Sequence, residues 1–274
     1  MNDVEMTFWD HLDELRKVLL RALVAVILLS LVAFACKETL FSILLAPREP
    51  DFILYRLLEQ LAAGLSAPAL RPGEFHFDLI STRLTSQFMI HVSTSFYAGL
   101  LLASPYVIYQ LFRFIAPALH DHERAYSSRV LLFSFLLFFT GVLLCYFVIF
   151  PLSLRFLATY KVVDEIQLLF TLDSYANTFI TLSLMLGLLF EIPVLSWLLA
   201  KLGMLSASHM TRYRRHAVVG ILVVAAIITP TTDLFSLVLV SLPVYALYEA
   251  SIVIVKRTGR NRYSGENGYI RDTN

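Results

Sequence analysis

Six apolar stretches run along this chain, and their lengths constrain its fold more than any other feature. They lie at about 18–36, 85–110, 130–150, 176–200, 217–229 and 234–255. A helix that crosses the hydrocarbon core of a bilayer needs about 20 mainly apolar residues, and its backbone polar groups must bond within the helix. Because 58% of the residues are hydrophobic and only 16% are charged, a soluble domain is excluded. The sequence predicts an all-α integral membrane protein with six transmembrane helices.

The fifth stretch is shorter than the others. Its 13 residues at 217–229 give a helix of roughly 20 Å, against a hydrocarbon core of about 30 Å. The residues Thr229-Pro230-Thr231-Thr232-Asp233 then lead into the sixth stretch through a turn. A connection this short predicts an antiparallel hairpin of short helices five and six, with Asp233 as the N-terminal cap of the sixth.

Lysine and arginine are distributed unevenly between the two sides of the predicted spans. With the N-terminus inside, the cytosolic segments carry 15 of these residues and the outer loops carry 7. Cytosolic loops of membrane proteins favour Lys and Arg, so both termini are predicted to be cytosolic. Residues 1–255 then form a single membrane domain, and the polar tail at 256–274 is predicted to be disordered.

The N-terminal segment permits two interpretations. Ala33-Phe34-Ala35 follows an apolar run and fits the small-x-small pattern of a signal-peptide cleavage site. The region before that run is acidic, however, which is the wrong charge for a secretory signal. Apolar residues there recur at helical spacing, at Phe8, Leu12, Leu15 and Leu19. The preferred prediction is an amphipathic helix that lies at the inner surface and continues into the first span.

The first outer loop carries two local patterns. Residues 51–63 place four leucines on one helical face, and Gly64 closes the segment, which predicts an amphipathic helix. The four are Leu54, Leu57, Leu58 and Leu61. Apolar and polar residues alternate over 75–79, which indicates a short strand or an extended segment. The loop is therefore predicted to form an ordered outer cap.

Two glutamates lie at the predicted inner edge of the membrane. Glu14 precedes the first span, and Glu123 lies in the loop after the second. Loops on that side normally favour basic residues, so carboxylates held there in rigid segments are suited to a cationic ligand. The pair predicts a receptor for something basic.

Glu191 is a charged residue inside the fourth span. An ion at the bilayer centre costs about 2.5 to 3.5 kcal/mol on the insertion scale, so such a residue is a functional hypothesis. Pro193 removes a backbone donor and predicts a bend beside the acid. The second span begins with a polar stripe that is expected to face other helices or a wet cavity, formed by Gln87, His91 and Ser95. Either Glu191 faces a groove lined also by this stripe, or it is a structural carboxylic acid.

Motifs for catalysis, nucleotides and metals are weak or missing. The sequence contains no GxxxxGK[ST] loop, GxSxG elbow or HExxH helix, so neither a cofactor nor enzymatic activity is predicted. His120 and His122 would form a metal site only if a third ligand converged, and polar surface residues are the simpler interpretation. Cys36 and Cys145 build no disulfide framework. A net charge of +1 excludes a nucleic-acid binder driven by bulk electrostatics.

Five motifs, in order along the chain, are more specific. They are HLDELR before the first span, SPYVIYQLFRFIAPALHDHER across the end of the second and the following loop, GVLLCYFVIFP at the end of the third, FEIPV in the fourth and ITPTTDLFS between the fifth and sixth. Together they resemble the TatC family, the large multispanning subunit of the twin-arginine protein translocase, from about Trp9 to Val255. The resemblance implies six helices in a concave, glove-like arrangement in the bacterial cytoplasmic membrane.

The resemblance also implies partners and site residues. The partners are twin-arginine signal peptides on folded cargo and single-span subunits of the TatA/TatB type, within an oligomeric complex in membrane lipid that uses the proton-motive force. The residues implied for signal-peptide binding are Glu14, Glu123, Arg16, Phe114 and Leu119. The groove acid falls on Glu191, beside the polar stripe with Gln87 and His91. Partner contact falls on the 217–240 hairpin with Thr229 and Asp233.

Three positions depart from the family pattern. The hairpin turn contains TPTTD where members commonly have TPPD, Leu237 replaces a frequent glutamine, and Asp121 replaces a residue that is often basic. The sequence as a whole predicts a core receptor subunit for the export of folded proteins. The alternative is a small proton-coupled secondary transporter that uses Glu191, although no repeat pairs the first three spans with the last three.

Overall fold

Contacts along the chain define two compact units. The computed structural model describes residues 8–64, 78–115, 127–160, 169–229 and 233–271. The first unit is Met1–Leu44 with Thr82–Phe135, and the second is Leu45–Ser81 with Leu136–Asn274. The boundary between them falls inside the helix Ser127–Leu144.

Helices make up almost all of the described residues. In chain order they are α1 Phe8–Ala35, α2 Lys37–Leu45, α3 Ile53–Gly64, α4 Ser86–Ile115, α5 Ser127–Leu144, α6 Phe150–Thr159, α7 Leu172–Leu189, α8 Ile192–Lys201, α9 Ala207–Arg212, α10 Arg214–Ile228 and α11 Leu234–Arg271. A 3-10 turn, Ala46–Arg48, follows α2, and a π-helical turn, Cys145–Ile149, joins α5 to α6. Two short strands, β1 Leu79–Ile80 and β2 Phe170–Thr171, pair in parallel.

Five of the predicted membrane spans are matched by long apolar helices. Among the described residues these are Leu12–Ala35, Ser86–Phe114, Arg129–Thr159, Leu172–Lys201 and Leu234–Thr258. The fifth predicted stretch, 217–229, lies in the 15-residue helix α10, which is shorter than these five. A sixth membrane crossing, by α10, therefore stays a prediction, and so does the orientation. The structure therefore confirms an all-α membrane protein.

Two terminal predictions have different outcomes. Helix α1 runs without interruption from Phe8 to Ala35, so the predicted amphipathic segment and the first span form one helix. Helix α11 continues to Arg271 and so extends into the tail that the sequence analysis predicts to be disordered. Extending an existing helix fixes one residue for each added hydrogen bond and needs no new nucleus, so polar residues can prolong a helix that begins in a membrane span.

In the first unit, α1 and α4 approach each other closely at Gly99. A Cβ atom built on Gly99 would overlap Ser30 Oγ and lie 2.6 Å from Ser30 Cα. The Ser30 hydroxyl donates to the Val26 carbonyl at 2.7 Å and lies 3.5 Å from the Phe96 carbonyl. Lipid gives helices no hydrophobic drive to associate, so small residues that permit close packing decide where they meet.

The two helices run antiparallel. Three pairings show this: Phe34 with His91, Ser30 with Phe96, and a groove that Arg21 shares with Tyr106. Residue numbers rise along α1 as they fall along α4. The N-terminal end of α1 and the C-terminal end of α4 therefore lie at the same end of this unit.

In the second unit, Tyr55 holds α3 against the start of α6. Its hydroxyl is shared between the carbonyls of Pro47 at 3.2 Å and Pro151 at 3.1 Å. Burial raises the pKa of this phenol, and the charge on Arg155 opposes that shift only in part. Tyr55 therefore stays a proton donor and ties α3 to the start of α6.

The buried face of α3 differs from the predicted one. The residues that it buries are Tyr55 and Ala62, whereas Leu57 and Leu61 of the predicted apolar face are exposed. Leu54 and Leu58 of that face are partly buried. The Tyr55 hydroxyl has two carbonyl partners inside the protein, which favours its burial over that of Leu57 and Leu61. Of the extended segment predicted at 75–79, Leu79 lies in the short strand β1, Leu79–Ile80. Residues 65–77 lie outside the described part.

Helices α5 and α7 pack through two glycines. A Cβ atom on Gly141 would lie 2.8 Å from the Leu186 carbonyl oxygen and 2.8 Å from the ring of Phe190, and one on Gly187 would lie 2.9 Å from the ring of Phe138. This close contact lies directly before Glu191. It fixes the position of the chain at the point where the fourth span bends.

Candidate functional site

Glu14 projects from the first unit in a rigid element. It lies on the second turn of α1, its side chain is 35% exposed, and its carboxylate is 3.9 Å from the ammonium of Lys17, which is 60% exposed. A long pair between exposed groups contributes little free energy. A ligand that carries a guanidinium could therefore replace Lys17 at small cost.

Other residues implied for signal-peptide binding cluster at the same end of this unit or fall beyond it. Arg16 is exposed on α1, and Phe114 is half-buried in the last turn of α4. Because α1 and α4 are antiparallel, Glu14 and Phe114 lie at one end of the unit. Leu119 and Glu123 lie outside the described residues.

Glu191 occupies a break in the fourth span. Helix α7 ends at Leu189, α8 begins at Ile192, and Phe190 and Glu191 form the turn between them. Pro193, at the start of α8, cannot donate a backbone hydrogen bond, which confirms the predicted bend. The Oε1 atom of Glu191 is buried, although the residue as a whole is only partly covered. A carboxyl group is thus held at a bend within an otherwise apolar helix.

The polar stripe of the second span belongs to the first unit. His91 is buried, its Nε2–H donates to the Phe34 carbonyl at 3.1 Å, and its ring stacks on Phe34 with centroids 3.9 Å apart. The last four carbonyl groups of a helix have no partner within it, and the Phe34 carbonyl is one of these in α1. His91 therefore caps the end of α1. Gln87, one turn earlier, is exposed. A groove that these residues share with Glu191 stays a prediction.

Thr229 and Asp233 flank the turn between α10 and α11, and both make local hydrogen bonds. Thr229 is buried, and its hydroxyl donates to the Ala225 carbonyl at 2.9 Å. The Asp233 Oδ1 atom accepts the backbone N–H of Ser236 at 2.6 Å. This is the geometry of an N-terminal cap, so the predicted capping role is confirmed. The residues of the turn, 230–232, lie outside the described part.

An ion pair that the sequence analysis missed joins the first residue of α10 to the middle of α11. The Arg214 guanidinium donates to Glu249 Oε2 at 2.7 Å, and the Tyr245 hydroxyl donates to Glu249 Oε1 at 3.1 Å. Arg214 is one of the 15 Lys and Arg residues in the predicted cytosolic segments, and the sequence analysis gives it no partner. A spacing of four between Tyr245 and Glu249 on one helical face was the available signal.

Apolar side chains cover the outer surface of α10. Val219, Val223 and Ile227 are exposed and recur every fourth residue, and Gly220 between them has nothing within 4 Å of its missing Cβ. On α11 the exposed residues Val238 and Leu242 have the same spacing. Such stripes face lipid or another apolar helix.

Comparison with known proteins decides the family. A family model described as "Sec-independent protein translocase protein (TatC)" matches residues 10–243. The chain belongs to the TatC family. It is thus a subunit of a Sec-independent, or Tat, protein translocase, a transport component and not an enzyme.

Relatives match along nearly the whole chain. The TatC protein of Blattabacterium sp. subsp. Periplaneta americana is 34% identical over 253 residues, which covers 91% of this chain and 95% of the relative. The Escherichia coli K12 TatC protein is 33% identical over 255 residues, 92% of this chain and 90% of the relative. Membership of the TatC family excludes the alternative of a secondary transporter. It implies, in general terms, Tat partner subunits and cargo with signal peptides.

A solved structure shares the fold. A crystal structure described as the twin-arginine translocase receptor TatC aligns with a TM-score of 0.72 and 31% identity, covering 91% of this chain and 99% of the other. Together with the five long apolar helices, this likeness establishes a multi-pass membrane protein.

Proposed function

We propose that this TatC-family chain is the receptor subunit of its translocase. It binds twin-arginine signal peptides of folded proteins at the cytosolic face of a bacterial cytoplasmic membrane. In this proposal the chain crosses the membrane six times with both termini in the cytosol, as the excess of Lys and Arg in the inner segments favours. It recruits single-span partner subunits into an oligomeric complex.

The observation that carries the proposal is the state of Glu14. Its carboxylate stands on a continuous helix and is partly exposed, and its ion pair with a described residue is a long contact with an exposed lysine. Glu123, eight positions after the end of α4, lies outside the described residues. In this proposal Glu123 supplies a second carboxylate, and the two match two adjacent guanidinium groups, because Arg pairs bidentately with a carboxylate.

A comparison of two signal peptides tests this proposal directly. Immobilised peptide with two arginines should retain the detergent-solubilised protein, and the same peptide with two lysines should retain much less. A lysine ammonium keeps the charge but lacks the planar fork, so one bidentate contact is lost at each position. Equal retention by both peptides would contradict the proposal.

The hairpin of α10 and α11 is proposed as the docking face for the single-span subunits. Helix α10 spans about 22 Å, from its 15 residues, and thus falls short of a hydrocarbon core of about 30 Å. A partner helix alongside would relieve this mismatch. The exposed stripe with Val223 and Ile227, next to the bare Gly220, supports close helix packing there.

Disulfide crosslinking in membranes tests the docking face. With Cys36→Ser and Cys145→Ala as background, Ile227→Cys should crosslink to a cysteine in the span of a partner subunit, because Ile227 is 77% exposed. Ala225→Cys is the matched control, since Ala225 is 1% exposed on the same helix and should not crosslink. Crosslinks confined to α1 and α4 would place the docking face elsewhere.

Glu191 is proposed to act after recognition, in a water-accessible groove of the fourth span. A carboxyl group in an apolar span needs water, a donor or a partner, since desolvation disfavours its charged form. Glu191→Ala should leave binding of the twin-arginine peptide within about twofold of the wild type while lowering transport at least tenfold, a loss of about 1.4 kcal/mol in the transport step.

Thiol labelling separates this proposal from a structural role. In the cysteine-free background, Glu191→Cys should react with a water-soluble thiol reagent from one side of the membrane. Ser183→Cys, on the same span at 0% exposure, should stay unlabelled. Full protection at position 191 together with normal export by Glu191→Ala would make Glu191 a structural acid.

A further inference from the structure

A groove on the first unit combines an apolar wall with a single arginine. It has a volume of about 420 Å³ and lies between α1 and α4, where it is lined by Leu20, Arg21, Val24, Ala25, Leu28 and Tyr106. The residues from α1 form two neighbouring rows along one face, at positions 20, 24, 28 and at positions 21, 25, 28. This spacing of three or four places them in one continuous stripe. Leu20, Val24 and Leu28 are exposed. The groove is thus open along the outside of the helix pair, and its volume is in the range of small-ligand sites.

Arg21 carries a positive charge inside a predicted membrane span, where an unpaired charge is unfavourable. It lies within the span Leu12–Ala35, one helical turn or about 6 Å further into it than Lys17. The side chain is exposed and makes no ion pair with any residue that the structure describes. An arginine at this depth is costly unless its guanidinium reaches the headgroup layer or an anion.

Tyr106 provides a second donor in the same groove. The Gln110 side-chain N–H donates to the Tyr106 oxygen at 2.5 Å, so the phenolic O–H proton is free to be donated to another acceptor. Gln110 itself is 3% exposed, and its Oε1 atom has no hydrogen-bond partner among the described residues. The amide therefore orients the hydroxyl without consuming its proton.

We propose that this groove binds one anionic phospholipid. The phosphate lies on the Arg21 guanidinium and the Tyr106 hydroxyl, and the first part of an acyl chain follows Val24, Ala25 and Leu28. Guanidinium and phosphate form paired, charge-assisted hydrogen bonds, while the apolar wall removes the chain from contact with other lipids. A lipid supplies both groups in one molecule at the depth where Arg21 lies.

A partner helix with an acidic residue is the competing occupant. Its carboxylate would have to be carried to the depth of Arg21, at a cost of a few kcal/mol before pairing. A lipid phosphate is already held at the membrane surface, within reach of an arginine that extends toward it. The charge and depth of the groove therefore favour the lipid.

Lipid retention by the full chain tests the proposal. Native mass spectrometry in detergent compares phosphatidylglycerol with phosphatidylcholine of the same acyl chains. The wild type should retain the first phosphatidylglycerol about tenfold more tightly, because both lipids offer a phosphate but the quaternary ammonium of phosphatidylcholine repels Arg21, and Arg21→Gln should abolish this preference. Ala25→Trp fills the groove without changing its charge and should weaken binding of both lipids. An excess of inorganic phosphate should not displace the bound lipid.

Matched variants and crosslinking make the outcome decisive. Arg215→Gln removes an exposed arginine from α10 in the second unit and should leave the preference unchanged. If Arg21→Gln unfolds, Tyr106→Phe keeps the ring and should weaken phosphatidylglycerol retention severalfold. A photo-crosslinker at position 24 should capture lipid in membranes. The proposal is overturned if the wild type retains the two lipids equally, or if Arg21→Gln and Tyr106→Phe both behave as wild type. Displacement of the lipid by inorganic phosphate, or capture of a protein chain by the crosslinker, would also overturn it.

Discussion

Replacing Glu14 and Glu123 together with glutamine is expected to abolish binding of a twin-arginine signal peptide. In the proposed complex each carboxylate makes a charge-assisted contact with one arginine, worth about 1.5 to 3 kcal/mol. Losing one contact weakens binding about 10- to 100-fold, and losing both weakens it at least 100-fold. The measurement is photo-crosslinking or equilibrium binding of a labelled peptide to the purified protein. Gln keeps the size and hydrogen-bonding groups of the side chain, so the fold should be unaffected.

Asp13→Asn is the matched control for this prediction. Asp13 is exposed on the same helix, one residue before Glu14 and about a quarter of a turn away. Its loss changes the net charge of the region by the same amount as the loss of Glu14. If Asp13→Asn weakens binding as much as Glu14→Gln, the effect is one of general charge. Unchanged crosslinking in the double variant would remove both glutamates from the site.

Gly99→Ala is expected to destabilise the first unit by about 3 kcal/mol, at the upper end of the usual cost of overpacking. The new Cβ would overlap Ser30 Oγ, and it would also lie 2.5 Å from Ser30 N and 2.6 Å from Ser30 Cα. A change of rotamer can move the hydroxyl, but the backbone atoms move only if α1 and α4 separate. Unfolding in mixed detergent, followed by circular dichroism, measures the loss.

Two variants define this effect. Gly220→Ala also adds a methyl group to a helical glycine, but nothing lies within 4 Å of that Cβ. It should be neutral or stabilise α10 by up to about 1 kcal/mol through helix propensity. Ser30→Ala combined with Gly99→Ala should restore little stability, because the remaining overlap is with backbone. A full rescue by the double variant would show that only the hydroxyl is in the way.

Much of the architecture could be predicted because it depends on local composition. Apolar length determines which segments can cross a bilayer, since every backbone polar group in hydrocarbon must bond within its own helix. Five spans follow from this rule. The bend at Pro193 and the cap at Asp233 are also local, because each depends on one missing or one added hydrogen bond. Family motifs indicated Glu14 and Glu191 for the same reason, as each lies within a short recognisable segment.

Features that depend on distant partners required the tertiary structure. The buried face of α3 contains Tyr55, whose hydroxyl bonds to two backbone carbonyls, one of them 96 positions away. His91 joined a predicted polar stripe by its spacing, yet its partner is the end of α1, 57 positions earlier. The groove at Arg21 exists only because α4 brings Tyr106 beside it. Periodicity shows which side of a helix is apolar, but packing and hydrogen bonds between helices decide what that side touches.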